Sequence, residues 1–317
     1  MLEVFLGIDV GSVTTKIAAV DREGQLTASL YRRTEGRPIE VVQESLRQIQ
    51  AILPTDVDVA GVGTTGSGRQ LAAVVVGADL VKNEITAHAV AALHFVPDVH
   101  TVMDIGGQDS KLIILEDGIV VDFAMNSVCA AGTGSFLEQQ AHRLNISIEE
   151  LGRRAMRSRH PVRIAGRCTV FAESDMIHKQ QMGHPVDDIL YGLCQALVRN
   201  YLNNLALGKT LRPPVVFQGG VAANAGVVRA FAEALETEVI VPPQHEVMGA
   251  LGAALLVRER MNGQPTRFRG FGAAEIEYRT SSFECRACPN RCEIAEIRVG
   301  REVVARWGGR CDRWEMA

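Results

Sequence analysis

The sequence predicts an α/β protein of two similar lobes followed by a small cysteine-rich segment. Three observations carry this. First, a strand–turn–strand pattern occurs twice. "VFLGIDVGSVTTKIAAVD" and "VHTVMDIGGQDSKLIILEDG" each run apolar residues into an aspartate, turn at glycine, then resume with a lysine and a second apolar strand. Second, stretches with helical apolar spacing follow the copies, at residues 39–53 and 184–207. Third, composition changes after Met261, and four of the chain's seven cysteines lie beyond it.

Taken in order, the first copy closes on a "REG" turn and the second on an "EDG" hairpin, so each opens a β-β-β unit. A duplicated unit of this kind, followed by helices, implies two related lobes. "PPVVFQGGVAANAGVVRAFAEAL" then reads as strand, Gly-Gly turn and helix, and "VPPQHEVMGALGAALLVRERM" as a loop and a last, small-residue helix. The expected boundaries are a two-lobed body over 1–261, a linker over 262–281 and a cysteine-rich segment over 282–317.

The bulk composition is that of a globular protein. Of 317 residues, 47% are hydrophobic and 22% charged, with a net charge of −4. A nucleic-acid-binding protein would need a strongly basic face, and none is present in the pattern. The start "MLEVFLGIDVGS" lacks a basic n-region and meets Asp9 too early for a signal peptide. No apolar run approaches the ~20 residues that span a bilayer. The expectation is a cytoplasmic protein with neither nucleic-acid nor membrane partners. Its cysteines are then reduced, and read as ligands or core residues.

The repeated turns suit phosphate. Glycine at a strand end lets backbone N–H groups approach an anion without a Cβ in the way. In the first turn Gly11, Ser12, Val13, Thr14 and Thr15 supply N–H and hydroxyl groups, and Lys16 a point charge. Gly106, Gly107, Gln108 and Lys111 stand correspondingly in the second. Asp9 and Asp104 end the two first strands, where carboxylates can hold Mg²⁺ through its waters. A third glycine turn, with Gly219, Gly220, Val221 and Asn224, follows a later strand. One such turn alone reads equally well as a plain hairpin; three together do not. No G-x-x-x-x-G-K-[ST] loop occurs.

At these residues the chain resembles the actin and hexokinase-type ATPases. "GIDVGSVTTK" is similar to their first phosphate loop, "DIGGQDSK" to the second and "FQGGVAAN" to the adenosine loop. Within that superfamily, "NSVCAAGTGSFLEQQA", "CTVFAESDMI", "TTGSGR" and "EITAHA" resemble the activator ATPases of 2-hydroxyacyl-CoA dehydratases and the ATPase subunits of benzoyl-CoA reductase. The resemblance covers residues 3 to about 260. It implies two ribonuclease-H-like lobes with ATP or ADP and Mg²⁺ in the cleft between them. Asp9, Lys16, Asp104 and Gln108 then serve catalysis, and Gly132, Thr133 and Gly134 join the three turns around the nucleotide.

The same resemblance implies that Cys129 and Cys168 ligate iron. Two thiolates per chain fall short of the four of a [4Fe–4S] cluster, so a homodimer sharing one cluster is implied. Residue chemistry is compatible, since both cysteines precede helical stretches whose N–H groups and dipole favour an anion. Taken alone, both read more readily as buried reduced thiols. Cys194, amid apolar helical residues with no glycine turn, is read as core. Glu84 and His88 are candidates to position the attacking water.

In the last segment Cys285, Cys288 and Cys292 follow C-x₂-C-x₃-C spacing and Cys311 closes "GGRC". Four thiolates there suggest Zn²⁺ or an iron–sulfur site. The resulting functional expectation is an ATP-dependent electron-transfer activator. Ferredoxin or flavodoxin would be its donor, and an iron–sulfur dehydratase or reductase acting on CoA thioesters its acceptor. The alternative is a sugar or small-metabolite kinase of the same fold.

Overall fold

The computed structural model describes residues 2–126 and 128–314. The chain forms two compact units, Met1–Glu84 with Gly249–Ala317, and Ile85–Met248.

In the first unit, β1 (Leu2–Val10), β2 (Thr14–Val20) and β3 (Leu26–Arg33) form an antiparallel meander. Helix α1 (Pro38–Ile52) follows, started by a proline in its first turn. Then β4 (Val57–Thr65) adds parallel to β1, and β5 (Leu80–Val81) adds beyond it after α2 (Arg69–Val76). The strand order is β3-β2-β1-β4-β5. Parallel addition needs a crossover, which each helix supplies. Helices α1 and α2 cover the sheet with Val42, Leu46, Ile49, Ala72, Val75 and Val76.

The second unit repeats this plan. After α3 (Glu84–Phe95) come β6 (Thr101–Ile105), β7 (Ser110–Glu116) and β8 (Ile119–Asn126), again an antiparallel meander. Four helices are inserted next: α4 (Gly134–Arg143), α5 (Ile148–Ala155), α6 (Thr169–Gln181) and the long α7 (Val186–Leu205). Then β9 (Val215–Gln218) lies parallel to β6, and after α8 (Ala225–Leu235) β10 (Val239–Ile240) extends the sheet. The order β10-β9-β6-β7-β8 mirrors that of the first sheet, element for element. Buried Tyr191, Leu193, Leu197 and Tyr201 of α7 fill the core with Phe217 and Phe231.

Helix α9 (Met248–Met261) returns the chain to the first unit. A Cβ at Gly7 would lie 1.8 Å from the Ala250 carbonyl oxygen and one at Gly63 2.5 Å from that of Ala253, so α9 lies directly on the backbone of β1 and β4.

The segment 262–281, expected as a linker, is packed instead. Asp79 accepts from the Thr266 hydroxyl (2.6 Å) and the Arg267 N–H (2.7 Å), and Gln43 of α1 donates to the carbonyls of Ala273 and Ile276. Ala273 and Ala274 are buried in the first core. Its polar composition hid these clips, which join residues far apart in the chain. The last segment forms a third sheet of β11 (Tyr278–Glu284), β12 (Glu293–Val299) and β13 (Glu302–Trp307). No helix among the described residues is long and apolar enough to cross a membrane.

Candidate functional site

The two phosphate-type turns have the same backbone. Gly11 N–H donates to Thr14 O at 2.9 Å, and Gly106 N–H to Asp109 O at 3.0 Å. In both copies the aspartate is paired in register with the lysine of the next strand, Asp9 with Lys16 and Asp104 with Lys111. Lys16 Nζ reaches Asp9 at 3.0 Å. Lys111 Nζ is 3.4 Å from Asp104 and 2.9 Å from Asp109.

The repeat extends to residues that the sequence pattern did not single out. On the other side of each aspartate the register partner is the last residue of a parallel strand, Thr65 beside Asp9 and Gln218 beside Asp104. Each is followed by a glycine at positive φ, Gly66 at 92° and Gly219 at 88°. A Cβ at Gly66 would fall 2.6 Å from Asp9 Oδ1, and one at Gly219 2.9 Å from Asp104 Oδ1. Only glycine lets the chain pass this close to the carboxylate in that conformation. The sequence signal was present: "TTGSGR" and "FQGGVAAN" occupy equivalent places in the two copies. Thr65 Oγ1 and Gln218 Oε1 are buried with no hydrogen-bond partner among the described residues.

The other predicted groups distribute as follows. Ser12 is exposed and Val13 and Thr14 half-buried in the first turn, whereas Thr15 is buried with its hydroxyl 3.0 Å from that of Thr34. Gln108 is exposed at the second turn. His88, on α3, is buried 3.7 Å from Asp104 Oδ1 and 2.7 Å from Gln218 Nε2. Glu84 opens α3. Asn224 caps α8, its Oδ1 accepting from the N–H groups of Gly226 and Val227, while its Nδ2 is buried without a partner among the described residues. Gly219, Gly220 and Val221 form the turn leading to that cap.

Cys129 is bracketed by Asn126, which accepts from its N–H (2.9 Å) and donates to its carbonyl (2.8 Å). A single 3₁₀ turn, Ala130–Gly132, separates it from α4. The N–H groups that open α4 do not face the thiol. Gly134 N–H donates to Gly106 O and Ser135 N–H to Gly107 O, both at 2.9 Å, and the Ser135 hydroxyl also donates to Gly107 O. The helix start is thus bonded to the second glycine turn, and the expected dipole contact at Cys129 is redirected there. Cys168 is itself the N-cap residue of α6.

One buried side chain on α7 bonds one cysteine turn and lies close against the other. Asn200 Nδ2 donates to the carbonyls of Gly166 (2.9 Å) and Arg167 (3.1 Å), just before Cys168. Its Oδ1 lies 2.8 Å from where a Cβ on Gly132 would stand. Asp175 of α6 accepts from Ala165 N–H, fixing the same approach to Cys168. Both thiols are half-buried, and apolar side chains beside them face outward: Val128 is 95% exposed, Val170 and Phe171 66% each. Cys194, by contrast, is fully buried, and burial pushes its thiol up to about 12.

A comparison with known families matches residues 6–257 to the BadF/BadG/BcrA/BcrD ATPase family. The chain belongs to that family. The (R)-2-hydroxyglutaryl-CoA dehydratase activating ATPase of Acidaminococcus fermentans is 38% identical over 253 residues, 79% of this chain and 95% of its own. The 2-hydroxyisocaproyl-CoA dehydratase activator of Clostridioides difficile is 35% identical over 253 residues, covering 79% and 93%. Among solved structures, component A of the Acidaminococcus fermentans dehydratase superposes with a TM-score of 0.76 at 34% identity, over 81% of this chain and 98% of that one. A Streptomyces griseus ROK family glucokinase, at 15% identity and a TM-score of 0.51, shares the fold alone. The protein is therefore an ATPase of the actin and hexokinase-type fold, and its duplicated sheets are the two ribonuclease-H-like halves expected from the sequence.

Proposed function

We propose that this ATPase is an electron-transfer activator of an iron–sulfur dehydratase or reductase acting on CoA thioesters. The observation that carries the reading is the set of hydrogen bonds from Gly134 and Ser135 to Gly106 and Gly107. They tie the segment after Cys129 to a phosphate-type turn. A group that binds that turn shifts a helix start, and packed helices move as units.

For the nucleotide, the turns at Gly11–Thr14 and Gly106–Asp109 would cradle phosphate oxygens through N–H groups, with Lys16 as a nearby positive charge. Asp9 and Asp104 would each hold Mg²⁺ through water. The orphaned Thr65 Oγ1 and Gln218 Oε1 beside them support this, because buried polar atoms normally have partners. Gln108 and His88 are the groups to orient an attacking water.

Cys129 and Cys168 would supply two of the four thiolates of a [4Fe–4S] cluster, with a second copy of the chain supplying the rest. Their half-exposed thiols and the outward Val128, Val170 and Phe171 fit a site completed by a partner, since an apolar surface of this kind gains by being covered. Such a cluster, when bound, supplies a one-electron carrier. Asn126 and Asn200 hold the two cysteine turns, and nucleotide state reaches them through α4 and α7. A low-potential ferredoxin or flavodoxin is the donor. The kinase reading gains no support from a likeness confined to fold.

The test is anaerobic. Iron content, oligomeric state and ATP binding are compared in the native protein, Cys129→Ser and Cys168→Ser. Both variants should lose the shared iron and weaken the dimer while still binding ATP. Iron content and dimer unchanged in both would sink the reading.

A further inference from the structure

Beyond the ATPase region, which the family match leaves at residue 257, the third sheet gathers four cysteines at one end. Cys285 follows β11 directly and Cys292 directly precedes β12. The register pairs Glu284 with Glu293, so the next residues outward face each other, and Cys285 N–H donates to Cys292 O at 2.8 Å. Cys288 lies in the loop between them. Strand β13 pairs antiparallel with β12, Trp307 opposite Ala295, and delivers "GGRC" to the same end. Gly308, at φ 103°, makes this possible, because a Cβ there would stand 2.5 Å from Glu293 O. All four cysteines line one cavity of about 240 Å³, together with Arg310 and Arg313.

The cavity is built to hold charged sulfur. Trp314 Nε1 donates to Cys285 Sγ at 3.2 Å. The indole is held edge-on by Phe283 (5.0 Å) and capped by the Arg306 guanidinium (5.4 Å). Arg306 is in turn bonded to the buried Glu296 carboxylate. The indole N–H aimed at Cys285 and the two arginines at the cavity suit a centre of net negative charge. A three-stranded sheet with few buried apolar residues also gains stability from a cross-linking ion.

We propose that Cys285, Cys288, Cys292 and Cys311 hold a four-thiolate metal centre of their own, complete within one chain and separate from Cys129 and Cys168. Geometry favours an iron–sulfur cluster as its occupant. Around a single tetrahedral Zn²⁺, with Zn–S bonds of about 2.3 Å, sulfurs crowd together. The four cysteines instead line a cavity of about 240 Å³, more room than one ion needs. In a cluster each thiolate takes its own iron, so a wider ring fits.

The full chain is purified without oxygen, and iron, sulfide and zinc are measured in three forms: native, Cys129→Ser/Cys168→Ser and Cys288→Ser/Cys311→Ser. The proposal expects the first double variant to keep about four irons and four sulfides per chain. The second should lose them and keep ATP hydrolysis. This separates the present inference from the proposed function, which fails only through Cys129 and Cys168. One zinc per chain, lost in the second variant, keeps the four-thiolate centre and overturns the cluster. Metal content unaffected by Cys288→Ser/Cys311→Ser overturns the centre itself. As a check that keeps all four cysteines, demetallated protein carrying only Trp307→Phe, its fold verified by circular dichroism, is titrated with iron and sulfide, or with zinc. Trp314 emission should change saturably with one of them; a flat response to both overturns the proposal.

Discussion

The surroundings of Asp9 and Asp104 differ in a way their shared frame does not predict. Both carboxylates stand one residue before the end of the first strand of a meander, face a lysine on one side and a strand-end polar residue on the other, and are approached by a positive-φ glycine. Yet the Lys16 side chain is 17% exposed and ion-paired to Asp9, whereas Lys111 is 3% exposed and bridges Asp104 and Asp109. Asp104 is further surrounded by His88 and Gln218, and the Tyr201 hydroxyl donates to Lys111 O at 2.6 Å. The duplicated sheet provides the same scaffold twice, and in the second unit α3, β9 and α7 add His88, Gln218 and Tyr201 around one copy, making it a buried polar network. That copy is also the one bonded to the segment after Cys129.

This contrast is most sharply tested by the two lysines. Lys111→Ala leaves two carboxylates facing a buried gap and should destabilise the protein by about 3–5 kcal/mol, the range for a broken buried pair. Lys16→Ala should destabilise less, because its side chain keeps more contact with water, but should lower ATP turnover roughly 10²–10³-fold, as removal of a group aimed at developing charge does. Thermal unfolding and steady-state hydrolysis measure both, and equal destabilisation by the two would erase the distinction. Asp104→Asn should also weaken the Mg²⁺ dependence of turnover.

The two glycines test what the halves have in common. Gly66→Ala and Gly219→Ala each force a Cβ into contact with backbone and carboxylate at positive φ, and each should cost about 1–3 kcal/mol with loss of turnover. Tolerance of either one, seen as an unchanged unfolding midpoint, would show the carboxylate approach to matter in only one half.

The smallest effect belongs to the link between turn and cysteine. Ser135→Ala removes the hydroxyl bond to Gly107 O but keeps the N–H bond. A bond of this kind contributes about 0.5–1.5 kcal/mol. The variant should hydrolyse ATP normally, yet show a reduced nucleotide-dependent change in Cys129 reactivity toward a thiol reagent. An unaltered change would move the coupling to another element.

The sequence by itself determined the repeated strand–turn–strand, the positions of Asp9, Asp104 and their lysines, the helices after Cys129 and Cys168 and the core placement of Cys194. These are short-range statements: apolar periodicity, glycine turns and spacing act within a few residues and can be read locally. The tertiary structure alone decided the rest. Segment 262–281 looked like a linker because its bonds reach back to Gln43 and Asp79. The third sheet was hidden because its cysteines dominate the pattern, and only strand register brings Cys285, Cys292 and Cys311 to one end. Thr65 and Gln218 gained their places from parallel neighbours far along the chain, and Asn200 from a helix packed against two turns. Partners so distant in sequence carry no local signature, because the free energy that selects them arises only once the sheets and helices have packed.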